Sequence, residues 1–176
     1  MNNITNTLKL LLLGLALVLN INGCGNMSIA SEYDPKYNFA DLKTYAWIPD
    51  PDIDVDSQLE VKRLKAAIDK KMAQMGYQQS EEPNFKIALH MLTGGTTNLA
   101  EWGYGYGWQG ASGYGVSAYP VGQGSILVDI IDAKTNELVW QGLGSAETQN
   151  EDAEIRDRTI RRMLNELFKD FPPKGK

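Results

Sequence analysis

Hydrophobic positions recur along this chain at several different spacings, and each spacing predicts an element. Val61, Leu64, Ile68, Met72 and Met75 fall at three- and four-residue steps, the stripe of an amphipathic helix. Ser57 and Glu60 form a capping box at its start, each satisfying a backbone N–H that the first turn leaves without a partner. Gly76 supplies the stop. "NFKIALHML" at 84–92 alternates instead. Phe85, Ile87, Leu89 and Met91 point one way and Lys86, Ala88 and His90 the other, which predicts a half-buried strand.

Two further strands flank a short turn at 134–136, the first of them (126–131) apolar almost throughout, as a central strand would be. "KTYAWIP" at 43–49 is rich in β-formers and stops at Pro49, marking an earlier strand. The stretch after residue 147 reads as a helix that Thr148 and Glu151 can cap, with acidic residues in the first turn where the helix dipole favours them. Asp152–Arg156, Glu154–Arg158 and Asp157–Arg161 are spaced as ion pairs across one turn. Ile160, Met163, Leu164, Leu167 and Phe171 mark its buried face, and Pro172-Pro173 ends it. Strand, helix, several strands, helix is an α+β order. It predicts a mostly antiparallel sheet with two helices packed on one face.

The first 23 residues do not fit this scheme. One lysine precedes an apolar run at 10–21 that is too short to cross a bilayer as a helix, which needs about 20 residues. A secretory signal peptide has this layout. Its end, Ile21-Asn22-Gly23-Cys24, resembles the lipobox of bacterial lipoproteins, in which the cysteine is acylated and becomes the new amino terminus. Cys24 is the only cysteine in the chain, so no internal disulfide competes for it. Three acyl chains hold a protein on a membrane stably where one does not, each buried methylene contributing about 0.8 kcal/mol. Gly25 after the cysteine is, by resemblance to the sorting rule of enteric bacteria, a signal for the periplasmic face of the outer membrane. Residues 25–32 show no periodicity and read as a flexible tether reaching about 26 Å. The expected organisation is a signal peptide at 1–23, a lipidated tether at 24–32 and one α+β domain at 33–173.

Composition narrows the function. The formal charge of −5 becomes −6 once Lys9 leaves with the signal peptide, with 16 basic residues against 22 acidic. No surplus of Lys or Arg is left to neutralise phosphates, which excludes nucleic acid as the expected partner. Asp50, Asp52, Asp54 and Asp56 alternate as calcium ligands could, but the glycine and distal glutamate of an EF-hand loop are missing, so a solvated acidic linker is expected. His90 is the single histidine and falls on the polar face of its strand. Asp129 interrupts an apolar strand, while Asp132 three residues on suits the following turn. These groups make no nucleophile–base pair, zinc spacing or phosphate loop. No catalytic residue, metal or cofactor is expected.

One segment stands apart. Ten of the 17 glycines and six of the 16 aromatic residues lie between Gly94 and Gly124, in an insertion at about 94–124. Insertions of this length are functional or disordered as a rule. In an extended conformation Trp102, Tyr104, Tyr106 and Trp108 would line one face and offer flat rings for sugar or peptide. Glycine-rich flexibility, pairing with another chain and seating in a headgroup layer remain open beside that reading.

With the elements laid out, the mature chain resembles the bacterial lipoproteins of domain-of-unknown-function family 4136. The residues that carry the resemblance are Tyr33-Asp34, Phe39, Thr44-Tyr45-Ala46-Trp47, Gly76-Tyr77, Leu127 to Asp132 with Thr135, Val139-Trp140-Gln141-Gly142, and Phe171-Pro172. Asn84-Phe85 departs from it, since such proteins more often carry an acidic residue there. The resemblance implies location and architecture and brings no catalytic residues. The expected function is thus a lipid-anchored envelope lipoprotein acting as a non-catalytic binding or assembly module. Its partners would be the membrane through Cys24, and peptidoglycan or another envelope protein. A hydrolase acting on envelope polymer and a self-associating structural lipoprotein are the alternatives.

Overall fold

The structure, a computed structural model, describes residues 27–49, 58–95, 121–146 and 152–173. Six strands form one sheet: β1 (Met27–Tyr33), β2 (Thr44–Trp47), β3 (Gln78–Gln79), β4 (Phe85–Gly95), β5 (Val121–Asp132) and β6 (Leu138–Ala146). Their order across the sheet is β1-β6-β5-β4-β2-β3. Two helices, α1 (Gln58–Gln74) and α2 (Ala153–Leu167), bury their apolar stripes in one cluster with the sheet. The chain is α+β.

The sheet is mixed. β1, β6, β5 and β4 are antiparallel neighbours, but β2 runs parallel to both β4 and β3. The connection is the reason: α1 carries the chain from the far end of β2 back to the start of β3, and a crossover helix returns its strand in the same direction. β3 is two residues long, too short to leave a periodicity in the sequence.

The expected tether is also corrected. Six of its residues, from Met27 to Glu32, belong to β1, which pairs along its whole length with β6, Met27 opposite Ala146 and Tyr33 opposite Trp140. The alternation is weak because small residues occupy both faces. Met27 and Ile29 pack on the main core, whereas Ala30 packs on the opposite face against Leu127 and Leu143. β6 supplies the hydrogen-bonding edge that organises this segment.

α1 follows the expected stripe. Val61, Leu64, Ile68 and Met72 are buried, Met75 packs against the same core, and Gly76 takes the left-handed conformation (φ +91°) that ends the helix. Ser57 of the capping box and the aspartates at 50–56 lie outside the described residues. α2 starts and stops differently from expectation. Its N-cap is Asp152, whose Oδ1 accepts from the N–H groups of Glu154 (2.8 Å) and Ile155 (3.3 Å). It ends at Leu167 with Phe168 as C-cap, ahead of Pro172. That lets Phe168 and Phe171 turn into the core together. Of the spaced ion pairs, Asp157–Arg161 forms at 3.9 Å on the exposed face.

Rings dominate one end of the core. Trp140 stacks on Phe168 (5.3 Å between centroids) and meets Phe171 edge-on at 5.1 Å. Phe171 reaches Phe39 at 6.2 Å and Tyr77 at 5.9 Å, and Tyr77 in turn meets Phe85 at 5.4 Å. Gly142 makes room for this cluster, since a Cβ there would overlap the Trp140 ring and lie 2.8 Å from Leu167 Cδ1. Asn84 clamps the same end. Its Oδ1 accepts from the backbone N–H groups of Lys43 and Thr44 and from Thr44 Oγ1, each at 3.1 Å. An amide oxygen thus does at this position what a carboxylate could do.

Candidate functional site

The residues expected to bind a ligand, Trp102, Tyr104, Tyr106 and Trp108, and the expected lipidation site Cys24 lie outside the described residues. The elements that flank them are well placed. β4 ends at Gly95 opposite Val121, where β5 begins, so residues 96–120 join two paired strands. β6 ends at Ala146 opposite Met27, the first residue of β1. β2 runs parallel to β4 and points toward this end, but its last residue, Trp47, is level with Ile87, near the start of β4. Glu60 of α1 and Arg156 of α2 line one cleft with Gly124 and Ala146, which puts both helix starts here too. Segments 1–26, 96–120 and 147–151 therefore attach at one end of the sheet, the Ala146 end, and 50–57 leads from beyond β2 to the α1 start there. The rings described above gather at the other, the Phe171 end.

The cleft at the Ala146 end is about 60 Å³ and mostly apolar, lined by Leu64, Met91, Ile126 and Met163 with Glu60 and Arg156 at its edge. Small-molecule sites take several hundred Å³, so this one suits no more than a small apolar group. The β4–β5 register shifts beside Gly124, which holds φ +89°, and pairing continues past it to Gly95 and Val121.

A polar group crosses the sheet face opposite the helices. Asp129 and Gln141 are direct neighbours on β5 and β6, and His90 lies diagonally across on β4, opposite Leu127. Gln141 Nε2 donates to Asp129 Oδ1 at 2.8 Å, and His90 Nε2 lies 3.3 Å from Asp129 Oδ2. His90 is 7% exposed and Asp129 3%. The sequence pattern puts His90 on a half-buried polar face, whereas that face is buried and its histidine is engaged with a carboxylate. Gln141 is the member that sequence reasoning missed; its only signal was a polar residue in an otherwise apolar strand. Nearby, Ser125 Oγ donates to Ser145 Oγ at 2.8 Å.

A second carboxylate staples α1 to the sheet. Asp69 Oδ1 accepts from Tyr45 Oη (2.8 Å), Trp47 Nε1 (2.9 Å) and Gln79 Nε2 (3.1 Å). Burial, and then the hydrogen bond to Asp69, push the Tyr45 phenol well above its usual range. Lys65 Nζ sits 5.0 Å over the Trp47 ring. Asp132 holds the β5–β6 turn as expected, accepting from the N–H groups of Lys134 (2.8 Å) and Thr135 (2.7 Å) and from the Tyr37 hydroxyl.

Among the described residues every buried side-chain nitrogen or oxygen has a hydrogen-bond partner, and no three His, Cys, Asp or Glu gather as metal ligands. Among them, too, no helix is long and apolar enough to cross a membrane. These polar groups act as fasteners between elements.

In solved structures the chain is similar to a PDZ domain protein from Parabacteroides distasonis, at 12% identity and a TM-score of 0.52. That likeness covers 86% of this chain but only 38% of that one, so the chain spans well under half of that protein's length. It is also similar to two PelC dodecamer structures from Paraburkholderia phytofirmans, at 12% and 10% identity, each covering 81% of this chain and 97% of that chain, with TM-scores of 0.44 and 0.46. At such identities the first likeness is one of fold alone. No curated protein matches the chain. Residues 29–173 match the family described as Domain of unknown function (DUF4136), and because that span takes in nearly the whole described fold, the chain belongs to this family.

Proposed function

We propose that this protein is an envelope lipoprotein, anchored through acylated Cys24 at the periplasmic face of the outer membrane, and that it works as a non-catalytic binding or assembly module. One observation carries the reading. A firmly packed α+β scaffold attaches its 25-residue Gly/aromatic segment, between Gly95 and Val121, at the same end as the start of β1, which follows Cys24. Rigid scaffolds that present loops at one end are a recurrent arrangement for recognition. Trp102, Tyr104, Tyr106 and Trp108 would supply stacking faces for the sugar rings of peptidoglycan.

Pelleting the full chain with purified sacculi tests this, beside a variant with all four of these residues changed to alanine. Binding that is lost in the variant supports a glycan-facing segment. No binding by either form removes peptidoglycan as the ligand and leaves a protein partner. A hydrolase acting on envelope polymer has the buried His90–Asp129 pair in its favour. Turnover abolished by Asp129→Asn would establish it, and inactivity across glycan and ester substrates would remove it.

A further inference from the structure

We propose that the Ala146 end of the domain is a bilayer-facing surface, held at the phospholipid headgroups with the sheet standing away from the membrane. The inference rests on acylation of Cys24, and its geometry follows from β1. Because Met27 is already paired with Ala146, only Gly25 and Asn26 separate the anchor residue from the folded sheet.

Ser28, Ser145, Ser125 and Leu92 form one row across four strands. Cys24 is four residues before that row, so even a fully extended chain holds its Cα within about 14 Å of it. β4 and β5 continue past the same row to Gly95 and Val121, three residues on β4 and four on the bulged β5, about 10 Å further at the rise of a strand. Toward the Phe171 end, β5 runs seven residues from Ser125 to Asp132, about 23 Å away. The covalent reach of the anchor thus spans the Ala146 end and falls short of the Phe171 end. The flanks of the 96–120 segment come to headgroup level with it.

Charge does not drive the contact. Glu60, Asp152 and Glu154 are exposed near the two helix starts, and they carry the same sign as anionic lipid. The acyl chains enforce the apposition, and the surface itself adds little adhesion.

The test uses the full lipidated chain in vesicles of phosphatidylethanolamine and phosphatidylglycerol that carry a nitroxide on a fraction of the headgroups. A fluorophore is placed at Glu60→Cys, at Glu154→Cys or at Lys134→Cys; all three positions are exposed, and Lys134 sits in the turn at the Phe171 end. Quenching at least threefold stronger at 60 and 154 than at 134 is the expected result. Equal quenching, or stronger quenching at 134, overturns the orientation. Mass spectrometry of the same sample separates the two levels of failure. An acylated Cys24 with equal quenching sinks only the orientation, whereas an unmodified Cys24 sinks the lipoprotein reading and the orientation with it.

Discussion

The two ends of this domain are built from different materials. At the Phe171 end, Phe39, Tyr77, Phe85, Trp140, Phe168 and Phe171 interlock and are all buried. At the Ala146 end, the cleft is small and mostly apolar, and the segments 1–26, 96–120 and 147–151 attach to the scaffold around it. Many of the residues that carry the family resemblance belong to the first end: Phe39, Tyr77, Trp140, Gly142 and Phe171 all build or accommodate the ring cluster. A resemblance held by core residues transmits a fold. It is silent about activity for the same reason, because packed rings contact one another and not a ligand.

The contrast can be tested by substitution. Trp140→Ala removes the ring that bridges Phe168 and Phe171 and should have the largest effect, a loss of about 3–5 kcal/mol in denaturant unfolding; a loss under 1 kcal/mol would mean that the ring cluster does not hold this end together. Asp129→Ala removes the carboxylate that both His90 and Gln141 contact. It should cost about 1–3 kcal/mol, because buried His90 and half-buried Gln141 each lose a polar contact, and a stability-neutral result would show that solvent or another group replaces it. Asp152→Ala, at the Ala146 end, removes the α2 cap and should cost about 0.5–2 kcal/mol. If it unfolds the protein as Trp140→Ala does, the two ends are not distinct in kind.

The smallest effect expected is electrostatic. Burial tends to raise the Asp132 carboxyl, but the Tyr37 hydroxyl, the N–H groups of Thr135 and Lys134 and the Thr135 hydroxyl outweigh it and hold the group below its usual value. A depressed folded value means stability that is present above the unfolded value of about 3.9 and is lost as pH falls through the folded one. Tyr37→Phe removes one donor, so the Asp132 titration should move up in pH and this acid-labile contribution should shrink. Carboxyl carbon shifts followed by NMR would report it, and an unmoved titration would assign the effect to the turn N–H groups alone.

How much of this was legible beforehand differs by element. α1 could be read almost residue by residue, because a 3.6-residue stripe, a stop glycine and a charged outer face are all local signals. The alternation of β4 was equally plain, yet the burial of Ala88 and His90 was not, since a sequence does not say whether a second face is covered. β1 was invisible: its apolar residues are interrupted by serines and Ala30 and divided between two faces, and its order comes from β6, more than a hundred residues away in the chain. Asp129 was noticed as an acid within an apolar strand, but its partners sit on two other strands and no spacing in the sequence relates them.

The sequence by itself determined the elements whose stabilising contacts are local, the turn at Asp132 and the family. It also carries the apolar run at 10–21 and the lone Cys24 on which the proposed anchor rests. The tertiary structure alone decided which strands are neighbours, that β2 runs parallel to β3 and β4, and that the segments before β1 and between β4 and β5 attach at one end. The physical reason is range. Helix stripes, caps and turns are settled within a few residues, whereas strand pairing depends on contacts between residues tens to more than a hundred positions apart, which no local pattern encodes.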